Sequence, residues 1–492
     1  MTQPGVRLRI LSRRPGFGQL GDGTDDDRHT PIPVPLSGVA ALAAGFAHSL
    51  GVTTDHMVWA WGWNSNGQLG DGTTEERHSP VQVQNLSGVT AVAGGGQQSL
   101  ALKGDGTVWA WGRNDIGQLG DRTTIDRHTP VQVQNLSEVK AIAAGQGHNL
   151  ALKSDGTVWA WGENGSGQLG DGTTIDRHTP VQVQNLSGVT CVATGDNHSL
   201  ARKSDGTVWA WGGNGAGQLG DGTTMERHTP VQVRNLSGVT AVASGAEYSL
   251  VLKSDGTVWA WGSNGLGQLG DGTNTDRHAP VRVISLSGVT GIAAHALHSL
   301  ALRITAPPFD GIVQAWGWNF SGQLGDGTTT DRPSPVQAAT LSAAEAIAAG
   351  TRHSLAVGAR RAYLNVRNIL AHPDIHHRRL FNLRIDGVVV RTNDNGGNTG
   401  FQSLSPGNHT VDETGGTGTP LGAFGVVIGG DCAADGTINL VLASVKTCTI
   451  TNHDHEGGCL DKGSKRSICC EPGDGMQGCL VCSKPGLGCP GQ

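Results

Sequence analysis

The chain has 492 residues, of which 77 are glycine and 15% are charged, with a formal net charge of −6. That length holds two or three domains, the glycine load without a Gly-X-Y period excludes collagen and implies many tight turns, and the slight acidity supplies no basic footprint for nucleic acid. No apolar run reaches the roughly 18–20 residues that span a membrane.

The start, MTQPGVRLRILSRRPGFGQLG, has no apolar segment of secretion-signal length, and its first repeat begins mid-phrase, so a preceding segment is expected. From there one phrase recurs. GQLGD begins at Gly18, Gly67, Gly117, Gly167, Gly217, Gly267 and Gly322, at spacings of 49, 50, 50, 50, 50 and 55 residues. A period near 50 without helical periodicity predicts one small antiparallel sheet per repeat, the unit of a propeller.

One repeat gives the strands in order. GVTAVAG (88–94) and SLALK (99–103) alternate small and apolar residues, and Gly104-Asp105-Gly106 makes the hairpin turn. TVWAWG (107–112) then sets Trp109 and Trp111 on one face, because side chains repeat every two residues in a strand. PVQV (130–133) is a short outer strand opening on proline, where a missing N–H matters little. All thirteen tryptophans lie in the repeats. A buried one hides about 150–250 Å², so they are assigned to the packing between blades. Leu69 and its equivalents are expected to plug the gap beneath each GQLGD turn. A phosphate-loop reading of GQLGDGT fails, since neither a lysine nor a helix follows.

Seven segments of the type VxxxAxGxxHSL occur, but only six VWAWG-type strands. VRLRIL (6–11) stands where the seventh belongs. Residues 345–357 are therefore expected to pair with 6–11, closing the ring and leaving no open sheet edge. Ile10 and Ser12 then fall where tryptophan would be.

Positions constant between repeats answer to geometry, whereas variable ones are free to be specific. Two stretches vary. After the WG come Trp63, Arg113, Glu163 and Trp318; before HSL come Phe46, Gln97, Asn197, Glu247, Tyr248 and Arg352. Equivalent loops of a closed propeller ring one face, and loops on a rigid scaffold are the usual place for binding. Aromatic residues and arginine dominate interface hot spots. These ten are the candidate partner-binding residues, with ordinary solvated turns as the alternative.

The histidines at 48, 148, 198, 298 and 353 share one repeat position with Gln98 and Tyr248, replacements a metal ring would not tolerate. A hydrogen-bonded structural role is expected for them. The Asp/Glu-Arg-His triplets, such as Glu76-Arg77-His78, recur nearly unchanged and are read as loop braces, since a catalytic site is asymmetric. No nucleophile with its base, carboxylate pair or metal set converges in one place. No catalytic, cofactor or metal residue is assigned, and an enzyme is not expected.

The phrases GDGTVWAWGxNxxGQLGDGT and VAAGxxHSLALKSDG resemble the repeats of the regulator of chromosome condensation family over roughly residues 6–357. The resemblance implies a seven-bladed β-propeller. Family members include a nucleotide-exchange factor for a small GTPase, a plant UV-B photoreceptor and a secreted bacterial inhibitor of β-lactamases. The photoreceptor uses tryptophans in the loop before the histidine, where this chain has Phe46, Gln97 and Gly147. The exchange factor works on chromatin, and this chain lacks a long basic tail. Protein binding by the propeller face survives.

Past residue 360 the repeat ends. FNLRIDGVVVRT, SPGNHTVDET, GGDCAADGTINLVL and KTCTITN read as a small β-sandwich. Residues 363–453 resemble the prealbumin-like, immunoglobulin-type modules of bacterial surface proteins, which often end in a CTITN-type strand. On that resemblance Cys432 and Cys448 form a disulfide worth about 3 kcal/mol, with two reduced buried cysteines as the alternative. The tail holds Cys459, Cys469, Cys470, Cys479, Cys482 and Cys489. The adjacent Cys469-Cys470 argues for disulfides, and Cys479-x-x-Cys482 keeps zinc as a rival.

The sequence thus predicts an all-β chain: a seven-bladed propeller over 1–360 whose ends share one blade, a prealbumin-like sandwich over 361–455, and a Cys-rich tail over 456–492. The expected function is non-catalytic protein binding by a monomer, secreted or displayed on a bacterial surface. A glycan-binding adhesin using Trp63 and Trp318, or a cytoplasmic regulator of a small-GTPase type, are the alternatives.

Overall fold

The computed structural model describes residues 17–304, 311–339, 341 and 344–357 with their side chains, the backbone of 7–12 and 358, and the backbones of eight strands between 362 and 454. The chain divides into two units, Met1–Ala359 and Arg360–Gln492. No helix occurs among the described residues.

The repeat dictates each sheet of the first unit. In the first blade the strands Val39–Ala44, His48–Thr53, Val58–Gly62 and Arg77–Gln82 pair antiparallel in that order. Five more sheets of the same order follow at 89–132, 139–182, 189–232, 239–282 and 291–337. The first strand of each sheet touches the first strand of the next, and 344–349 touches 39–44, so these strands form a closed inner ring. Alanine is the commonest residue in them because backbones crowd there: a Cβ on Gly94 would lie 2.7 Å from Gly45 N. The second and third strands are covered on both faces by neighbouring blades, so QSLALK (98–103) and VWAWG (108–112) are buried nearly throughout. The outermost strand, RHTPVQ, faces solvent on one side and is only partly covered.

The seventh sheet joins the two ends of the unit. Its order is 28–37, 7–12, 353–358, 344–349. Ser12 opposes His353 and Leu11 opposes Ser354, whereas in the first blade Gly62 opposes His48 and Trp61 opposes Ser49. Arg9 and Leu11, not Ile10 and Ser12, therefore hold the tryptophan positions. The difference is one residue of spacing: Leu11 lies 7 residues before Gly18, but Trp61 lies 6 before Gly67. Strand 7–12 sits between two others, so its loss would expose two inner edges. Deleting residues 1–12 is expected to lower the propeller's melting temperature and promote self-association, read by calorimetry and light scattering. An unchanged transition would mean that this strand does not hold the ends together.

Adjacent blades are fastened by polar contacts set in an apolar core. Trp61, Trp111, Trp161, Trp211, Trp261 and Trp316 are fully buried. Each indole N–H donates to the carbonyl of the glutamine in the preceding GQLGD: Trp111 to Gln68 at 2.8 Å, Trp161 to Gln118 at 3.0 Å, Trp211 to Gln168 at 2.9 Å. The same carbonyl accepts from the residue after the repeated histidine, as Ser99 does to Gln68 at 2.8 Å. That histidine in turn reaches the serine of the next blade, His48 Nε2 lying 2.9 Å from Ser99 Oγ. The pattern runs round the ring: 98 to 149, 148 to 199, 198 to 249, 248 to 299, 298 to 354 and 353 to 49. Leu69 and Leu119 are fully buried beneath their turns.

In the second unit the backbone forms two four-stranded sheets. One orders 398–404, 362–370, 445–454 and 424–430, with 362–370 and 445–454 parallel. The other orders 388–394, 380–385, 407–415 and 437–440. Cys432 and the tail 456–492 lie outside the described residues, as does the side chain of Cys448. The disulfide and metal readings fall there too.

Candidate functional site: one ring of loops

Six of the seven GQLGD turns are built around a buried asparagine, the first having Pro15 at that place in the sequence. Asn64 Oδ1 accepts from Leu69 N at 2.9 Å, while its Nδ2 donates to the carbonyls of Thr73 and Glu75. Asp71 accepts from Thr73 and pairs with Arg77 at 2.7 Å. Burial pushes the Asp71 carboxyl up, but the hydrogen bonds from Thr73 and Arg77 outweigh it and hold the group below its usual range. All seven repeats carry this Asp–Arg pair. It is a brace repeated around the ring.

The brace fixes where the variable residues stand. Strand pairing brings the end of the first strand, the start of the second, the end of the third and the start of the fourth to one edge of each blade. There Trp63 N donates to Ala47 O, Arg113 N to Gln97 O, Glu163 N to Gly147 O, Gly213 N to Asn197 O, Ser263 N to Glu247 O and Trp318 N to Leu297 O, all at 2.7–3.0 Å. The two variable stretches are thus hydrogen-bonded neighbours in six blades. Gly62 allows the approach: its φ is 106°, and a Cβ there would lie 2.5 Å from Ala47 O.

The ring is chemically lopsided. Where the closing and first blades meet, Phe46 and Trp63 have ring centres 6.1 Å apart, Phe17 lies 5.5 Å from Trp63, and the Arg352 guanidinium sits 6.0 Å from the Phe46 ring. In the sixth blade Trp318 stacks on Phe320 at 6.5 Å, with Phe320 48% exposed. In the second blade Arg113 pairs with Asp115 and reaches Gln97 Oε1 at 3.3 Å. The third to fifth blades are acidic. Burial, then the nearby Glu247 and Glu163 charges, push the Asp196 carboxyl up to about 6. Burial, then Asp176, raise Glu163 as well. Asn197 and Glu247 are exposed.

Nine of the ten candidate residues stand partly or fully exposed at this edge. Tyr248 does not. It is 0% exposed, and its hydroxyl donates to the His298 carbonyl at 2.6 Å, so it belongs to the interblade ring and cannot touch a partner. Its place in the repeat, shared with histidine, was the available signal. Phe17 and Phe320 were missed because they lie in the GQLGD approach, outside the two stretches compared. Asp196 was missed although it stands beside Asn197 in the same variable stretch.

The fold and this edge define a closed β-propeller of seven four-stranded sheets whose variable residues gather on one face. The chain belongs to the RCC1-like family: the model of the RCC1-like domain matches residues 17–356. Human WBSCR16 is 24% identical with a TM-score of 0.63, the match covering 72% of this chain and 98% of that one. Yeast RCC1 (Prp20), crystallised with Kap60, is 22% identical with a TM-score of 0.64, covering 72% and 89%. At these identities the likeness is one of fold. No curated protein matches the chain.

Proposed function

We propose that this protein is a non-catalytic protein-binding propeller, secreted or displayed on a bacterial surface, that engages its partner through the ring of variable loops. The observation that carries the reading is the pairing of both variable stretches, in six blades, at one edge of a largely repeated scaffold. Repeat-constant polar residues there are consumed in bracing, which leaves the variable ones to meet a partner. Among the described residues no cluster of histidine, cysteine, aspartate or glutamate is arranged to hold a metal ion. No described helix is long and apolar enough to cross a membrane.

The test is affinity capture with the full chain beside a variant carrying Phe46→Ala, Trp63→Ala, Trp318→Ala and Arg352→Ala, after both are found to melt at the same temperature. A specific protein held by the native chain alone supports the reading, each anchor contributing about 1–4 kcal/mol. Equal retention by both baits overturns the site. Retention of glycans instead moves the function to adhesion.

A cytoplasmic regulator is the second reading, favoured by a solved relative: Prp20p, 23% identical, is described with binding properties to Gsp1p and histones. Thiol titration of the native protein separates the two. Blocked cysteines favour an oxidising compartment, and free ones the cytoplasm.

A further inference from the structure

The same face has an outer rim that the sequence reading left unused. Ile125, Ile175 and Met225 are 62%, 61% and 64% exposed. They occupy one repeat position in three consecutive blades, where the other four carry Asp26, Glu75, Thr275 and Thr330. Single exposed apolar residues are ordinary, but three in register on adjacent blades make a row. They are also held outward. The buried Asn114, Asn164 and Asn214 donate Nδ2–H to the carbonyls of Ile125, Ile175 and Met225 at 3.1, 3.0 and 2.9 Å. These loops cannot turn their tips inward without breaking the turn.

Just inside the row stand Glu163 and Asp196, with Glu247 on the next blade. Arg113, the cation whose charge opposes the rise at Glu163, is shared with Asp115 and Gln97, and Arg127, Arg177 and Arg227 of the same loops are held by Asp121, Asp171 and Asp221. Apolar tips outside and under-neutralised carboxylates inside define a complement: cationic groups beside aliphatic ones. We propose that the rim of the second to fourth blades docks a protein segment in which lysine or arginine alternates with leucine-like side chains. The inference rests on the protein-binding reading and assigns it a place and a partner chemistry.

The experiment uses the full chain and fluorescence anisotropy with dye-labelled synthetic peptides. One peptide alternates lysine with leucine, a second replaces lysine by glutamate, and a third replaces leucine by serine. Two variants accompany the wild type: I125T/I175T/M225T, which installs the residue native to the fifth and sixth blades, and E163Q/E247Q. The lysine-leucine peptide is expected to bind, with affinity falling about tenfold in either variant and with higher salt. The glutamate and serine peptides are expected to bind weakly or not at all.

No binding to the wild type overturns the proposal, as does binding that both variants leave intact. Light scattering that reveals a dimer abolished by I125T/I175T/M225T would assign the rim to a second copy of the chain. A captured protein lost on Trp63→Ala but kept by I125T/I175T/M225T would remove this inference and leave the broader function standing.

Discussion

Stability is expected to fall steeply as pH drops from about 6.5 towards 4, before the Asp–Arg braces are touched. The cause is the interblade ring. Ser99 Oγ commits its proton to Gln68 O, so it can only accept from His48, whose Nε2 must carry the hydrogen. The same logic holds for His148, His198, His298 and His353. Their Nδ1 atoms are left as buried lone pairs with no partner. Burial holds His48, His148, His298 and His353 down to about 3 and His198 to about 4. His295, which stands where the other six repeats have glycine, is also lowered to about 4 by burial, and its charge would oppose those of His48, His298 and His353.

The folded values lie below the unfolded value of about 6.5. The unfolded chain therefore binds more protons between the two, and stability present above about 6.5 is lost as pH falls towards the folded values. Each histidine contributes a slope of about 1.4 kcal/mol per pH unit in that window. Asp71, Asp121, Asp171, Asp221, Asp271 and Asp326, also lowered, act only below about 4. His148→Gln copies the residue that Gln98 already supplies, donating to Gly145 O at 3.0 Å. It is expected to fold and to reduce the pH slope of unfolding by one histidine's share, measured by denaturant titration across that range. An unchanged slope would remove His148 from the account.

The second large effect separates two tryptophans in one strand. Trp161→Ala empties a fully buried site and strips the Gln118 carbonyl of its indole donor, leaving it Asn149 alone. A loss of about 3–5 kcal/mol is expected. Trp159, two residues earlier, is half-buried, has no hydrogen-bond partner for Nε1, and lies 5.9 Å from Lys153 Nζ. Trp159→Ala should cost about 1–2 kcal/mol, from partial burial and a weak cation–π contact. Urea midpoints at constant m would measure both. Equal losses would refute the division of labour between the two rings.

That division was only partly legible in sequence. The paired tryptophans announced packing between blades, but alternation alone placed both on one face and could not rank their burial. The period of about 50 residues and the missing seventh VWAWG strand pointed to a ring joined at its ends. The one-residue slip at Arg9 and Leu11 arose because loop length, unlike strand register, is not fixed by any repeated side chain. Variability marked the face residues well where the side chain leaves the sheet, as at Trp63 and Arg113. It failed at Tyr248, where a large residue fills an interior place that histidine usually takes. The acidic arc stayed hidden because Glu163, Asp196 and Glu247 lie on separate blades and at different repeat positions.

The shared blade also sets the order of assembly. Contacts between consecutive blades join residues about 50 apart, such as His148 and Ser199, separated by 51. Those between Ser49 and His353 span 304. As the chain emerges from the ribosome, each blade dresses the flank of the one before it, and the growing body is an open arc. Strand 7–12, made before the other strands of the propeller, waits unpaired on the 353–358 side until the last repeat arrives. Joining over that separation is slow, because loop closure must precede its reward. The vulnerable interval in this protein's life therefore falls between synthesis of the sixth blade and capture of its own beginning.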